Sequence, residues 1–105
     1  MDYIDLQQFQ GFDWDLGNQN KNWQKHGVVY TECEQIFFNI PLLIEFDAKH
    51  SDKEARHFAL GRTDDDRYLF IAFTCRGSLI RVISARDMNK KERGLYENFE
   101  KNTEI

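Results

Sequence analysis

Six cationic side chains fall within one short stretch of this 105-residue chain, TCRGSLIRVISARDMNKKERGLY at residues 74–96. Aliphatic residues lie among them. The six are Arg76, Arg81, Arg86, Lys90, Lys91 and Arg93. An arginine on an apolar strand is costly unless an anion or a carboxylate lies opposite it. Guanidinium groups bind phosphates through paired hydrogen bonds and stabilise charge that develops at a reacting phosphorus. The stretch therefore indicates either a phosphate site or a set of internal ion pairs.

Three of these arginines lie where a sheet would present them. Arg76 ends one predicted strand at a turn, Arg81 is in the middle of the next strand, and Arg86 follows that strand. Side chains near one end of a sheet can converge on one pocket, which favours phosphate binding. The alternative is that they pair with nearby carboxylates and hold the fold together, the candidates being Asp87, Glu92 and Glu97. A strand arginine is structural more often than catalytic, so both interpretations stay open at this point.

Two further sets of residues could take part in acid–base chemistry. Lys25 and His26 precede Gly27 at the predicted end of a helix, where His26 could transfer a proton and Lys25 could hold a phosphate. The alternative, which the sequence alone favours, is that both cations satisfy the last carbonyl groups of the helix. Tyr96 is most simply a core-facing helical aromatic, although its hydroxyl could reach a phosphate or a stacked base.

Asp47, His50, Glu54 and His57 have the side-chain types of a metal site. Their spacing does not match a helical HExxH pattern, however, and His50 falls in a predicted loop while His57 falls in a predicted strand. We therefore predict no metal and no other cofactor, and we expect Glu54 to pair with Arg56 at the sheet edge.

Periodicity and capping residues predict the elements that would position these groups. A short strand at residues 12–14 precedes a helix that Asp15 caps and Gly27 ends. A capping box at residues 31–34 opens a second helix. Four strands and a last helix follow, at residues 41–46, 56–63, 67–75, 79–84 and 89–100. Because residues 69–73 are all apolar, their strand is expected at the centre of an α+β sheet with helices packed on it.

Length and composition indicate one domain over residues 1–105, with enough aromatic and aliphatic residues for a core. Cys33 and Cys75 lie in unrelated contexts, which favours reduced thiols and a cytoplasmic protein. No stretch is long and apolar enough to span a membrane, and the acidic N-terminus does not match a secretory signal.

The net charge of −4 is unevenly distributed along the chain. Residues 1–52 carry three Lys or Arg against nine Asp or Glu, residues 53–93 carry ten against six, and residues 94–105 carry one against three. A basic middle between acidic ends fits a local anion site on an acidic protein, and it fits internal ion pairs equally well.

The pieces described above occur together, and in this order, in one known family. They are FDWD at 12–15, KHGV at 25–28, FFN at 37–39, HSDKEARHFALGRT at 50–63 and RVISARDMNKKERGLYE at 81–97. Over residues 12–97 the chain resembles the BrnT toxins of bacterial type II toxin–antitoxin systems. The resemblance implies a RelE-like fold, with a mainly antiparallel sheet of four to five strands, two N-terminal helices and a C-terminal helix. Residues 1–11 would be an N-terminal extension.

For function, the resemblance implies a metal-independent endoribonuclease that inhibits translation. A BrnA-like antitoxin would neutralise it in a heterotetramer with two toxins, and the complex would contact DNA only through the antitoxin. In such folds the 2′-hydroxyl of RNA attacks the adjacent phosphate with the help of a base, an acid and cations. The roles implied here are phosphate stabilisation by Arg76 and Arg86 first, then Arg81 and Tyr96, and acid–base chemistry by Lys25 and His26.

Two other functions are compatible with the sequence. The same fold with a weakened site would act mainly as a binding partner for the antitoxin, and the acidic ends of the chain would then face a basic partner. A metal-dependent hydrolase that uses His50, Glu54 and His57 is the second alternative.

Overall fold

One five-stranded sheet with three helices forms the described part of the chain, residues 8–103 of the computed structural model. The strands are β1 Gly11–Phe12, β2 Leu43–Phe46, β3 Arg56–Arg62, β4 Tyr68–Arg76 and β5 Leu79–Asp87, and the helices are α1 Leu16–His26, α2 Tyr30–Ile36 and α3 Lys90–Thr103. The strand order is β1-β5-β4-β3-β2, with β1 parallel to β5 and all other neighbours antiparallel. The predicted α+β class and the central position of β4 are confirmed.

The strand boundaries differ from the predicted ones in ways that affect the site. β5 continues to Asp87, so Arg86 lies within the strand rather than beyond it. The predicted N-terminal extension ends inside the sheet, since Gln10 N–H donates to Ser78 O at 2.8 Å and Gly11 begins β1. Residues 1–7 of that extension lie outside the described residues.

Helix α1 begins and ends where the sequence predicts. The Asp15 side chain accepts a hydrogen bond from Asn18 N–H at 2.7 Å, which is the N-cap interaction. Gly27 takes the left-handed conformation at φ 64° and closes the helix through hydrogen bonds to Asn22 O and Trp23 O. The caps therefore fix both ends of α1 from local sequence alone.

The face that α1 turns toward the sheet is polar. Asn22 is buried and its Oδ1 accepts from Ala85 N–H at 3.0 Å, while Asn18 Nδ2 donates to Val82 O at 2.8 Å. The apolar residues Leu16 and Trp23 point outward instead and are 81% and 58% exposed. Because β1 pairs with only two residues of β5, the rest of that edge needs other partners for its backbone groups. The asparagines supply them.

Helix α2 is capped differently from the prediction. It begins at Tyr30 with Val29 as its N-cap residue, so Thr31 lies inside the helix rather than at its start. The glutamate of the capping box is Glu32 rather than the predicted Glu34, because Glu32 Oε1 accepts from Val29 N–H at 3.0 Å. The physical reason is that Glu32 also binds Arg67 at 3.1 Å, which holds this carboxylate, and with it the first turn of α2, against the start of β4.

The main core lies between the first two helices and one face of the sheet. Its buried members are Val28, Cys33, Ile36, Ala59, Leu69, Ile71, Phe73, Ile80, Val82 and Ala85. Burial raises the pKa of the Cys33 thiol to about 12, and both Cys33 and Cys75 are free. Alternate residues of β4 serve this core, so Phe70, Ala72 and Thr74 face the opposite side.

Gly61 allows α2 to approach β3 closely. A Cβ atom at this position would lie 3.0 Å from Ile36 Cβ and 3.3 Å from Leu42 Cδ1. We expect Gly61→Ala to lower the free energy of unfolding by about 1–3 kcal/mol, since one added methyl group would overpack the core. Urea denaturation measures this.

Gly94→Ala is the matched control for that substitution. Gly94 lies within α3 and a Cβ there would meet no atom within 4 Å. Gly94→Ala should therefore raise the free energy of unfolding by about 0.5–1 kcal/mol, because alanine has the higher helix propensity. Equal effects of the two substitutions would contradict the close contact at Gly61.

The second face of the sheet is covered by α3 only over the end that holds Tyr68. There Tyr96 packs edge-on against Tyr68, and Arg93 lies 4.1 Å above the Tyr68 ring. Asn89 and Glu92 cap the helix reciprocally, with N–H···O distances of 2.8 and 2.9 Å. Among residues 8–103, no helix or strand covers the other half of this face, at the β4–β5 turn. The candidate site lies there.

Candidate functional site

Three arginines from adjacent strands lie on the uncovered half of the second face, and we call them the arginine row: Arg56, Arg76 and Arg81. Arg56 of β3 and Arg81 of β5 are both paired with Thr74 of β4, so all three positions share one face. Two strand spacings separate Arg56 from Arg81, about 10 Å between their backbones. Arg76 follows Thr74 by two residues and therefore projects from the same side.

The members of the arginine row differ in how far their charge is neutralised. Arg81 is bound by two carboxylates, at 3.4 Å from Asp13 and 2.9 Å from Asp15, and is 19% exposed. Hydrogen bonding to Asp15 raises the pKa of Arg81. Arg76 is 52% exposed, and its nearest carboxylate oxygen, on Glu54, is 4.0 Å away.

The predicted pair of Glu54 with Arg56 is therefore wrong, because Glu54 faces Arg76 across the strand ends instead. Among residues 8–103 the guanidinium of Arg56 makes no ion pair or hydrogen bond. Arg56 and Arg76 are consequently the members of the row best able to bind an added anion.

A histidine–aspartate pair lies at the edge of the arginine row. His50 Nδ1 is 2.9 Å from Asp47 Oδ2, and the His50 side chain is 58% exposed. Since an ionised carboxylate only accepts hydrogen bonds, Nδ1 donates and Nε2 is left free to accept a proton. Asp47 and His50 were predicted only as possible metal ligands, although their i, i+3 spacing in a turn also indicates a hydrogen-bonded pair.

The loop that carries His50 is tied back to the start of β3. Asp47 N–H donates to Arg56 O at 2.8 Å, and Arg56 N–H donates to the Ser51 hydroxyl at 2.9 Å. The Ser51 hydroxyl in turn donates to Asp47 O at 2.5 Å. These bonds bring His50 next to Arg56, together with Lys49, Lys53 and Glu54, around a pocket of 340 Å³.

Arg86 does not join Arg76, contrary to the prediction that the two converge at one sheet end. Arg76 is paired with Leu79 at the β4–β5 turn, whereas Arg86 is paired with Phe70 at the far end of the hairpin. Six residues of β4 separate the two positions, which corresponds to about 20 Å. In an antiparallel hairpin the C-terminal ends of consecutive strands lie at opposite ends of the sheet. The prediction was wrong because it placed the C-terminal ends of β4 and β5 together.

Arg86 is held by contacts within the fold. Its two terminal nitrogens lie 2.8 and 2.9 Å from the Glu92 carboxylate, and its guanidinium lies 4.2 Å above the Phe70 ring. Hydrogen bonding to Glu92 raises the pKa of Arg86. Glu92, through Arg86, and Arg93, above the Tyr68 ring, therefore join the last helix to the sheet.

This pair predicts a pH dependence of stability. Burial acts to raise the pKa of Glu92, but hydrogen bonds from Arg86 and Asn89 outweigh it and hold the pKa below its usual range. The Glu92 carboxylate then binds a proton more readily in the unfolded chain than in the folded chain. The contribution of the Arg86–Glu92 pair to the free energy of unfolding is therefore complete above about pH 4.3 and is lost as the pH falls through the folded pKa. We expect Glu92→Gln to cost about 1–2 kcal/mol at neutral pH and to flatten the acid limb of urea-unfolding stability.

Glu97→Gln is the control for that measurement. Glu97 pairs with Arg93 at 3.6 Å on the exposed side of the same helix. Exposed ion pairs contribute little to the free energy of unfolding, so Glu97→Gln should leave the acid limb as steep as in the wild type. An acid limb that is equally steep in the wild type and in Glu92→Gln would contradict the role of this pair.

Lys25 and His26 are exposed at the end of α1, near the Asp87 end of β5 and away from the arginine row. The carbonyl groups of His26 and Gly27 accept from Arg67, at 3.4 and 2.9 Å. These two carbonyls are therefore bound by Arg67 rather than by Lys25 or His26, which lie in the last turn of α1 as predicted. Arg67 also binds Asp87, at 2.7 and 3.1 Å, and this lowers the pKa of Asp87. No local pattern singles out Arg67, because its partners lie 20 to 41 residues away.

Tyr96 is fully buried, as its interpretation as a core-facing helical aromatic predicts, and its hydroxyl is not exposed toward a substrate. The hydroxyl donates to Pro41 O at 2.6 Å, and burial raises the pKa of the phenol. Its place is therefore in the packing of α3 against the sheet.

Asp47 and His50 form a pair, and no group of three His, Cys, Asp or Glu side chains among residues 8–103 could hold a metal ion. Within the same range, no helix has the length and the apolar character that a membrane span requires.

The fold places the chain in a structural class of small α+β proteins. It is similar to the crystal structure of the Brucella abortus ribonuclease toxin BrnT, determined at 1.1 Å, with a TM-score of 0.55 and 22% sequence identity over 76% of this chain and 97% of that one. No curated protein sequence matches the chain significantly.

Residues 14–92 match the family described as the ribonuclease toxin BrnT of type II toxin–antitoxin systems. The match covers most of the sequence, and the chain belongs to this family of ribonuclease toxins.

Proposed function

We propose that this toxin cleaves RNA without a metal ion, at the arginine row. The observation that carries the proposal is the meeting of Arg56 and Arg76 with the His50–Asp47 pair on the uncovered half of the sheet. A cationic surface with an exposed imidazole beside it has the two requirements of phosphodiester cleavage, charge stabilisation and proton transfer.

The proposed reaction starts with removal of a proton from the RNA 2′-hydroxyl by His50 Nε2. The 2′-oxygen then attacks the adjacent phosphorus, the bond to the 5′-oxygen breaks, and that oxygen leaves with a proton from solvent. Arg76 and Arg56 stabilise the extra negative charge on the phosphoryl oxygens. Arg81 is bound by Asp13 and Asp15, so its charge is already neutralised. Its main role is to hold the arginine row in place, and it contributes less to neutralising the phosphate.

The other predicted site residues receive different roles. Arg86, held by Glu92, stabilises the fold and supports the sheet face, and Tyr96 packs α3 onto the sheet. Lys25 and His26 are exposed about 20 Å or more from Arg76. We propose that they contact the RNA backbone away from the cleaved phosphate.

The metal independence of the reaction has a direct test. Cleavage of a single-stranded RNA by the purified toxin is expected to continue at an unchanged rate in excess EDTA, because cationic side chains supply the stabilising charge. Addition of Mg²⁺ or Mn²⁺ after dialysis is the control. Loss of cleavage in EDTA with recovery on adding a divalent ion would contradict the proposal.

A BrnA-like antitoxin is the proposed protein partner, in a heterotetramer with two toxins and with DNA contacted only by the antitoxin. Membership of a type II toxin–antitoxin family and the net charge of −4 support a basic partner. Exposed Leu16, Trp23, Phe38 and Ile40 offer apolar contacts. The mass of the co-expressed complex in light scattering tests the two-to-two composition.

The charge balance at the site also favours a second candidate, a catalytically weak module that serves mainly as the antitoxin's partner. Arg81 and Arg86 are neutralised internally, so fewer cations are available than the sequence implies. Growth separates the two functions. Expressed alone, an active toxin arrests growth, and its Arg76→Ala variant does not. If the protein is only a binding module, cells that express the wild type and cells that express Arg76→Ala show the same growth and the same bulk RNA.

A further inference from the structure

A groove lies between α3 and the sheet, directly beside the arginine row. It has a volume of 610 Å³, and its lining residues are Asp47, Phe58, Leu60, Phe70, Asn89, Lys91, Glu92 and Leu95. We call it the α3 groove. It lies on the same face of the sheet as Arg56, because Phe58 follows Arg56 by two residues in β3.

Two stacked aromatic rings form part of the lining of the α3 groove. The rings of Phe58 and Phe70 are nearly parallel, at 23°, with centroids 5.5 Å apart, and both side chains are half-buried. Arg86 lies 4.2 Å above the Phe70 ring but does not line the groove itself. Partly exposed aromatic rings on a sheet are the surfaces on which unpaired nucleobases stack.

The rim of the α3 groove can form hydrogen bonds of both kinds. Lys91 and the Asn89 side-chain amide supply donors, while Asp47 supplies a carboxylate acceptor. The edges of a nucleobase carry donors and acceptors around a flat ring, so this arrangement suits a base better than a purely apolar side chain. Leu95, which is 50% exposed, closes one side.

The distance from the α3 groove to the arginine row matches one nucleotide. Phe58 and Arg56 are two residues apart on one face, which is about 7 Å along the strand. Asp47 belongs to both places, since it lines the groove and also binds His50. A base seated on Phe58 would therefore direct its own phosphate or the next one toward Arg56 and His50.

We propose that the α3 groove binds one unpaired nucleobase of the RNA, next to the phosphate that is cleaved. This inference rests on the proposed ribonuclease function and adds the feature that positions the substrate. It implies that the enzyme requires single-stranded RNA, because a base within a duplex cannot enter a groove on the sheet.

The test replaces the ring while keeping the apolar volume. The probe is a ten-nucleotide single-stranded RNA with 2′-O-methyl groups throughout, which cannot be cleaved, and binding is followed by fluorescence anisotropy. Phe58→Leu is expected to weaken binding about tenfold, the order of one lost base–aromatic stack. Phe58→Trp should restore binding, and its new fluorescence should be quenched by the RNA.

Two controls separate stacking from folding and from charge. Phe38→Leu changes a phenylalanine that is 79% exposed outside the groove, and it should bind the RNA like the wild type. The same oligonucleotide made without bases should bind the wild type and Phe58→Leu equally, because only backbone contacts remain. Thermal unfolding confirms that each variant is folded.

Three outcomes would overturn the inference. One is RNA binding by Phe58→Leu that equals the wild type, and another is an equal loss with the abasic probe. The third is a loss of antitoxin binding with RNA binding unchanged, which would assign the groove to the protein partner. If instead the wild type failed to cleave RNA, the proposed function would fall, while the binding of the uncleavable probe would still decide the role of the groove.

Discussion

Arg76→Ala is expected to lower kcat for RNA cleavage about a hundredfold, with a smaller effect on KM. Arg76 projects from the end of β4 with its guanidinium half-exposed and only a distant carboxylate beside it. It can therefore respond fully to charge that develops on the phosphoryl oxygens, and loss of one such donor costs roughly 10² to 10³ in rate. Initial rates on a single-stranded RNA, with kcat and KM determined separately, measure the effect.

Three variants define what the loss at Arg76 means. Arg76→Lys keeps the charge but loses the paired donors, and should recover only part of the rate. Arg93→Ala removes an equally exposed arginine from α3 and should leave kcat unchanged. Arg86→Met should reduce stability more than kcat, since Glu92 loses its partner. Wild-type cleavage by Arg76→Ala would remove the arginine row from the mechanism.

His50→Ala should lower kcat by between about 10² and 10⁴, the usual contribution of a general base. Among residues 8–103, His50 is the imidazole that lies beside the arginine row with a carboxylate on Nδ1. Asp47→Asn should cost less, about tenfold, because it disturbs the orientation of the ring without removing the base. Single-turnover cleavage rates separate this chemical step from RNA binding.

His26→Ala is the matched control for His50. Its imidazole is also exposed, but it lies at the end of α1 near Asp87. We expect a change in RNA affinity at most, with kcat unchanged. A large loss of kcat in His26→Ala with full activity in His50→Ala would move the chemistry to the α1 end of the sheet.

Local signals in the sequence predicted the fold well. Asp15 and Gly27 bound α1 because their capping interactions involve residues within one turn. The apolar run in β4 predicted its central position, because apolar side chains on both faces favour a strand in the interior of a sheet. The ordered motifs indicated the family correctly.

The site was predicted less well, because it depends on pairings between distant residues. The distance between Arg76 and Arg86 follows from the antiparallel register of β4 and β5, which strand ends alone do not reveal. The sequence indicated Tyr96 as a core-facing aromatic, but it could not show that the hydroxyl binds Pro41, which lies 55 residues earlier in the chain. The pairing of Asp47 with His50 is local in sequence. Aspartate and histidine are also common metal ligands, however, and the residue types alone could not distinguish a hydrogen-bonded pair from a metal site.

The amide side chains of α1 have a consequence for self-association. A bare outer edge of β5 would be a template on which a strand from another molecule could be added, with aggregation as the result. Asn18 and Asn22 occupy the backbone groups that such a strand would need, at Val82 and Ala85. Two side chains of one helix therefore prevent the addition of a further strand along this part of the sheet edge.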